Sequence, residues 1–551
     1  MITCDMRKTA IVLLGVAFVT ISVFAQENAI PSRSMTIEGV YNADVTDAQK
    51  LMPVPAKPRT LISQKPVEYI SDGFSLKDCM RDPMTAPDLP AVTAIPYSGI
   101  VRFGYGMQGN IDFLAHGKLK VGECGTLSVD GTLTGWNTIL VHDWNSRMYD
   151  TKWNVGYVHR MDDMTIDVNA AFGYEYANFM PAPDDWQIHA PRDNGRNILT
   201  GNIEAGFMSV SPDDIIYGVR AGWYICSDDN ITFYPHRGTE NIFRVNGTAG
   251  YEFSGDMSLY VDFALRSTVY RDWVTRLRST NVYENYTSLS LRPHAEWKNT
   301  EWYVYAGADL TLRTGFAPRI QAAPNIKARY KVLPGLSLNA DITGGLEEYD
   351  MRHLYAISPY WTDREQLRDG YTRVNAAVGA TWNALSVLEV SLKGGYRNMS
   401  NMVFQSISKV DVIGSVLTQT DASALYGELS GKLLLSGRFN ATCTAGYYKW
   451  NCDGDDELLQ MIPQIDVNVA LEGRITDRFF GSCNYRYAYM TESCGTHWPP
   501  VNQLDVSLGY NVTDKLDVFL KGTNLFRSRY YRFAGYKMQD TAVLASLLFR
   551  F

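Results

Sequence analysis

The chain ends Ala542-Val543-Leu544-Ala545-Ser546-Leu547-Leu548-Phe549-Arg550-Phe551, and the reading of this stretch decides what the rest must be. In extended backbone, successive side chains point to opposite faces. Val543, Ala545, Leu547, Phe549 and Phe551 therefore share one face. Ser546 and Arg550 share the other, with Leu544 and Leu548 as apolar exceptions. A period of two with one apolar face is a half-buried β-strand. A strand at a chain end leaves a row of unpaired backbone groups unless another strand covers it. Two architectures satisfy this ending. One is a soluble sandwich that stops on its last strand. The other is a closed barrel, in which the first strand covers the last and the outward face meets lipid.

Composition narrows the choice. The chain has 551 residues, 12% of them aromatic, with 34 Tyr and 12 Trp. Only 20% are charged, yet the mean hydropathy is −0.18. A helical membrane protein would be more apolar, whereas a transmembrane barrel keeps half of every strand in water. A net charge of −8 gives no footprint for nucleic acid. None of the eight cysteines forms a Cys-x-x-Cys pair, and the eight histidines show no His-Glu-x-x-His, so no zinc site is expected.

The N-terminus carries an address. Arg7 and Lys8 precede an apolar run over 9–24, and Val23-Phe24-Ala25 supplies small residues at −3 and −1 before Gln26. This is the pattern of a secretory signal peptide over 1–25. No later segment approaches 18 continuous apolar residues, so an exported chain of this kind is soluble or a barrel. Residues 26–97 hold nine of the 22 prolines (Pro31, Pro53, Pro55, Pro58, Pro66, Pro83, Pro87, Pro90 and Pro96) and so lack many ladder donors. Two readings stand for this segment. It is a lead running to the barrel, with one short strand over 35–40, or it is a strap for the lumen or docking peptide for a periplasmic partner.

From Gly99 onward one pattern repeats. Leu259, Val261, Phe263 and Leu265 oppose Ser258, Tyr260, Asp262 and Arg266. Leu336, Leu338, Ala340 and Ile342 oppose Ser337, Asn339, Asp341 and Thr343. The connections carry more weight than the alternation. Ten tight polar turns are expected, at 122–125, 162–163, 211–213, 254–256, 298–300, 334–335, 383–384, 436–437, 476–477 and 513–514. Longer irregular stretches lie between them, among them 142–149, 178–194, 227–239, 349–368, 451–457, 492–500 and 528–540. Short turns at one end and long loops at the other mark an outer-membrane barrel. Ten turns and eleven loops from Gly99 to Phe551 give an all-β, transmembrane antiparallel β-barrel of about 22 strands over 98–551, with short periplasmic turns and longer extracellular loops. The least secure loops, near 107–109 and 314–316, are almost as short as turns. Trp153, Tyr157, Trp302, Tyr396, Tyr447, Tyr448 and Trp450 suit interfacial girdles.

The last strands also carry a resemblance. A terminal Phe on a lipid-facing strand resembles the C-terminal signature of bacterial outer-membrane barrels, which makes Phe549 and Phe551 an assembly signal for the barrel-assembly machinery. Lys515-Leu516-Asp517-Val518-Phe519-Leu520-Lys521-Gly522-Thr523-Asn524-Leu525-Phe526, then Tyr530-Tyr531 and Gly535-Tyr536, is similar to the closing segment of TonB-dependent receptors. That resemblance implies a barrel of 22 strands in a Gram-negative outer membrane and a role in transport. The family also has an N-terminal plug of well over 100 residues. Here about 70 Pro-rich residues precede the first strand, no TonB-box segment is evident, and Lys537-Met538-Gln539-Asp540 stands where the family has Pro-Gly-Arg. The chain reads as a plugless relative, without energy coupling carried over.

Individual residues give fewer leads. Cys452 and Cys494 fall in consecutive expected loops, and either form a disulfide, which export permits, or stand as two unpaired loop cysteines. Asp453-Gly454-Asp455-Asp456-Glu457 lacks the spacing of a calcium loop and reads as solvated acid, as do Asp184-Asp185 and Asp228-Asp229. Asp262, Arg266, Asp309, Asp341, Glu389, Lys393, Asp505 and Arg550 fall on polar faces, either lining a pore that selects solutes or pairing across the wall. His116, His159 and His294 lie in expected strands with no marked serine beside them, so no enzyme, catalytic residue or cofactor is expected. The expected partners are outer-membrane lipid, the assembly machinery, and a periplasmic or surface protein. Two functions remain open: a transport channel or component of an outer-membrane transport assembly, and a non-transporting scaffold that docks other proteins.

Overall fold

The computed structural model describes residues 98–551, apart from 142–143, 180–194, 210–214, 231–235, 255, 273–282, 362–364, 385–386, 408–414, 436–437, 455 and 492–497. The expected signal peptide and the proline-rich lead, with its strand at 35–40, lie outside the described residues. In chain order the strands are β1 (Gly99–Gly106), β2 (Ile111–Val121), β3 (Gly125–Val141), β4 (Trp144–Arg160), β5 (Met164–Asn178), β6 (Gly195–Ser209), β7 (Ile215–Asn230), β8 (His236–Ser254), β9 (Met257–Arg271), β10 (Tyr286–Lys298), β11 (Trp302–Gly315) and β12 (Arg319–Leu333). They continue as β13 (Leu336–Glu347), β14 (Gly370–Ala384), β15 (Leu388–Ile407), β16 (Ser415–Leu435), β17 (Phe439–Cys452), β18 (Pro463–Arg474), β19 (Phe479–Met490), β20 (Val501–Thr513), β21 (Leu516–Thr523), the short ribbon β22 (Tyr531–Phe533) and β23 (Tyr536–Lys537), and β24 (Ala542–Arg550). One short α-helix, α1 (Met351–Ile357), sits between β13 and β14. No described helix is long and apolar enough to cross a membrane.

Every strand except the β22–β23 ribbon joins one closed, antiparallel, 22-stranded sheet. Closure falls where the terminal sequence required it. Strand β24 pairs with β21 on one side and with β1 on the other, with Val101 opposite Phe549 and Phe103 opposite Leu547. The Gly99 N–H donates to the Phe551 carbonyl at 3.2 Å, and the Phe551 N–H donates back to Gly99 at 3.1 Å. The open edge of the last strand is thereby removed. Leu547, Phe549 and Phe551 are about half exposed on the outside, while Leu544, Ser546, Leu548 and Arg550 are buried on the inside.

The strands on either side of the ten expected tight turns all join at one end of the barrel, the turns at 211–213 and 436–437 themselves lying outside the described residues. Gly335, at φ +88°, closes one of them after Pro334, a backbone conformation glycine adopts without a Cβ penalty. At the other end the loops are unequal. The stretch 142–149 is not a long loop. Strand β3 runs to Val141 and β4 resumes at Trp144. Strands β15 and β16 reach 20 and 21 residues. At about 3.3 Å per residue they rise far beyond a hydrocarbon band of about 25 Å.

The outward face is apolar throughout the belt, with Phe172, Ile203, Phe243, Leu310, Val378 and Leu520 exposed. Trp153, Trp302, Tyr396 and Tyr447 are exposed with them, as girdle residues should be. Tyr448 and Trp450 are not girdle residues. They are buried on the inner face, and the Tyr448 hydroxyl donates to Glu428 at 3.0 Å. Adjacent strand residues cannot share a face, so Tyr447 outward forces Tyr448 inward.

Candidate functional site

The largest buried cluster lies inside the barrel, at its long-loop end, and is built around residues 348–369 between β13 and β14. Its local sequence explains its shape. The Asp350 side chain accepts from the His353 N–H at 2.8 Å and caps the start of α1. Met351, Leu354 and Tyr355 then recur at i, i+3 and i+4, giving one apolar stripe. Pro359 disfavours helical backbone at Ser358 and ends the helix there. Met351, Leu354, Tyr355, Ile357, Tyr360 and Trp361 are each 2% exposed or less, so the loop has turned inward to bury its apolar residues.

Three sectors of the barrel hold the loop. On the β6–β8 wall, Arg196 donates to the carbonyl of Pro359 at 2.9 Å and to that of Trp361. The same guanidinium pairs with Asp228 at 3.3 Å and lies over the rings of Phe179 and Tyr355. The Tyr355 hydroxyl donates to Asp228 at 2.8 Å, and the Met351 N–H donates to Glu240 at 3.0 Å. On the β15–β16 wall, Gln405 donates to the Ile357 carbonyl at 3.0 Å, and the Ser415 N–H donates to Tyr360 at 3.0 Å. From the β21–β24 loop, Tyr536 stacks on Tyr360 at 3.4 Å and the Ala534 N–H donates to Gln405. The loop therefore bridges the mouth of the barrel.

Ion pairs surround its two ends. Glu348 lies 2.7 Å from Arg244 and 3.4 Å from Arg266. Asp369 lies 3.1 Å from Arg313 and 3.8 Å from Arg266. Burial alone would raise the carboxyls of Glu348 and Asp350. The facing arginines outweigh it, chiefly Arg244 for Glu348 and Arg352 for Asp350, and hold both below the usual carboxylate range.

The eight charges singled out in the sequence do not form one site. Arg266 belongs to the loop cluster. Below it, Asp309 accepts from Arg292 at 2.7 Å, and Asp262 accepts from Thr248 and lies 3.6 Å from His294. Asp341 is 3.9 Å from Lys393, and Glu389 sits opposite Lys432 in the register. Asp505 accepts from Gln503 and from the Asn524 N–H, both at 2.8 Å. Arg550 donates to Asp517 at 3.0 Å. Asp228 corrects the reading of Asp228-Asp229 as solvated acid: it is 1% exposed, on β7, in the Arg196 pair. Cys452 is buried at the end of β17, and its expected partner Cys494 lies outside the described residues. Asp184-Asp185 also lies outside them.

The residues that hold the loop were not read from the sequence. A cap signal was present in Asp350 followed by the Met351, Leu354, Tyr355 stripe. Nothing local marks Arg196, whose acceptors lie more than 160 residues later.

The barrel matches solved structures of TonB-dependent receptors in fold. The FrpB iron transporter from Neisseria meningitidis superposes with a TM-score of 0.64 at 10% identity, over 83% of this chain and 82% of that one. The copper transporter OprC gives 0.62 at 12% identity, over 82% of each chain. FpvAI, solved in complex with pyocin S2, gives 0.63 at 13% identity, over 83% of this chain and 70% of that one. The chain is thus a TonB-dependent-receptor-like, outer-membrane-type β-barrel of 22 strands, and no plug domain lies among the described residues. No protein-family model and no curated protein matches the sequence, so the likeness is one of architecture.

Proposed function

We propose that this chain is the outer-membrane barrel of a solute-transport system, and that residues 348–369 close its extracellular mouth. The observation that carries this reading is the bridging of the mouth from three sectors of the wall by one loop. An open barrel of this circumference would leak, and a plug normally fills one. Here a barrel loop does part of that work. The names of the matched structures, iron and copper transporters, support a transport role over a purely structural one. Residues 1–25 would direct export. Residues 26–97 would stand on the periplasmic side, because Gly99 starts β1 at the short-turn end. The paired inner charges would keep the lumen wet and set which ions pass.

The test is planar-bilayer conductance of the full chain beside a variant in which residues 351–361 are replaced by a short Gly-Ser linker. Steps that are rare in the parent and frequent in the variant are expected. Equal conductance in both, with both chains folded, would sink the gated-channel reading and leave a scaffold that docks partner proteins. Deleting residues 27–90 then separates the two uses of the lead. Raised leakiness marks a strap, and lost co-purifying proteins mark a docking tail.

A further inference from the structure

Strand pairing places three arginines in one row across the inner wall. Arg244 on β8 stands directly opposite Arg266 on β9. Arg266 stands opposite Ser288 on β10, and Ser288 opposite Arg313 on β11. Like charges directly opposite on one sheet face repel. Such a row must be met by anions, and the described wall itself places none within ion-pair distance, although Glu240 acts on Arg266 from farther off. Glu240 of the wall is turned to the start of α1, and Asp309 is taken by Arg292. Among the described residues, every carboxylate in ion-pair distance of the three arginines comes from residues 348–369.

The loop fills the row incompletely. Arg266 is 2% exposed, yet none of its three guanidinium nitrogens donates a hydrogen bond. Two nitrogens of Arg313 are likewise unused. Both guanidinium groups lie against the ring of Tyr286, at 5.4 and 4.0 Å, which fixes their planes. A buried planar donor fork with unused N–H groups is built to take an oxyanion in bidentate fashion.

We propose that Arg244, Arg266, Ser288 and Arg313 form a binding site for an anionic solute bearing carboxylate or phosphate groups, and that Glu348 and Asp369 occupy it as internal stand-ins while the loop is closed. An incoming anion competes with the loop for the same donors, so binding and release of the loop are coupled. The proposal adds a solute class to the transport reading and rests on it for its physiological meaning. Binding is measured without transport, so the two fail separately.

The experiment is calorimetric titration of citrate and of inorganic phosphate into the full chain in detergent at fixed salt, beside E348Q/D369N. Removing the internal anions should tighten binding of at least one probe by about tenfold or more. Adding R266Q or R313Q to that variant should abolish the gain. Preference for citrate assigns carboxylates, and preference for phosphate assigns phosphoryl groups. No gain, or a gain that survives loss of the arginines, overturns the site. If E348Q/D369N does not fold, judged by heat-modifiable gel migration, the parent chain serves. Saturating probe should then speed amide exchange over residues 351–361, and unchanged exchange for both probes overturns the proposal.

Discussion

Replacing Arg196 by Ala should release the loop without unfolding the barrel. Arg196 is 2% exposed and its partner Asp228 1% exposed, so removing the guanidinium leaves a buried carboxylate that has lost its cation and keeps the Tyr355 hydroxyl. Deleting one member of a buried pair costs about 3–5 kcal/mol. The carbonyls of Pro359 and Trp361 lose their donor as well. The surviving Tyr355 bond argues for the low end, about 3 kcal/mol, which is a factor of about a hundred in the closed-to-open equilibrium. Hydrogen exchange read by mass spectrometry is the suitable assay, because local opening exposes the α1 amides of Leu354 and Ser358, which now bond to Asp350 and Leu354. Peptides over 351–361 should exchange about a hundredfold faster, while peptides from the centres of β6 and β7 keep their protection. Arg196→Lys should fall between, since an ammonium keeps the charge and loses the fork. Unchanged exchange over 351–361 in Arg196→Ala would refute the claim that this residue latches the loop.

Other consequences are checked more briefly. The depressed carboxyls of Glu348 and Asp350 stabilise the closed loop at any pH above their ordinary values near 4, and that share is lost only as pH falls through their lower folded values. Their contribution should thus be unchanged between pH 7 and 5, and conductance of the parent that rises in this range only when both carboxylates are present would contradict it. Asp517→Asn breaks the buried pair with Arg550 on the closing strand and should lower barrel stability by about 3 kcal/mol, seen as a lower heat-modification temperature on gels. Phe551→Ser should reduce the amount of chain assembled in the outer membrane, with a smaller change in the heat resistance of what is assembled, because the ring is half exposed and its contacts are with Gly99 and Phe549 at the seam. Non-reduced peptide mapping decides between a Cys452–Cys494 disulfide and two free thiols at those positions.

The barrel was legible because its signal is local and repeated. Alternation with period two and polar turns at regular intervals gave the closed count, and the apolar face ending in Phe551 told which strand must meet the first. The errors have equally local causes. Tyr447 and Tyr448 are alike in residue type, but strand parity separates them. The composition of Asp228-Asp229 suggests solvated acid, but β7 carries Asp228 to the inner face. The mouth was not legible. Its contacts join Arg196 to Trp361 and Gln405 to Ala534, pairs that strand patterning does not relate, and the loop that mediates them is neither alternating nor long enough to announce a helix.

The stack of Tyr536 on Tyr360 joins the last connection in the chain to one made far earlier. In the order of synthesis, β13 and β14 come well before the β21–β24 loop. The mouth therefore receives its final contact only when the closing hairpin is in place. A chain lacking its closing hairpin would lose both the β1–β24 seam and Tyr536, so wall and mouth would be left unfinished together. Completion of the mouth is thereby tied to completion of the wall, through the same short closing segment.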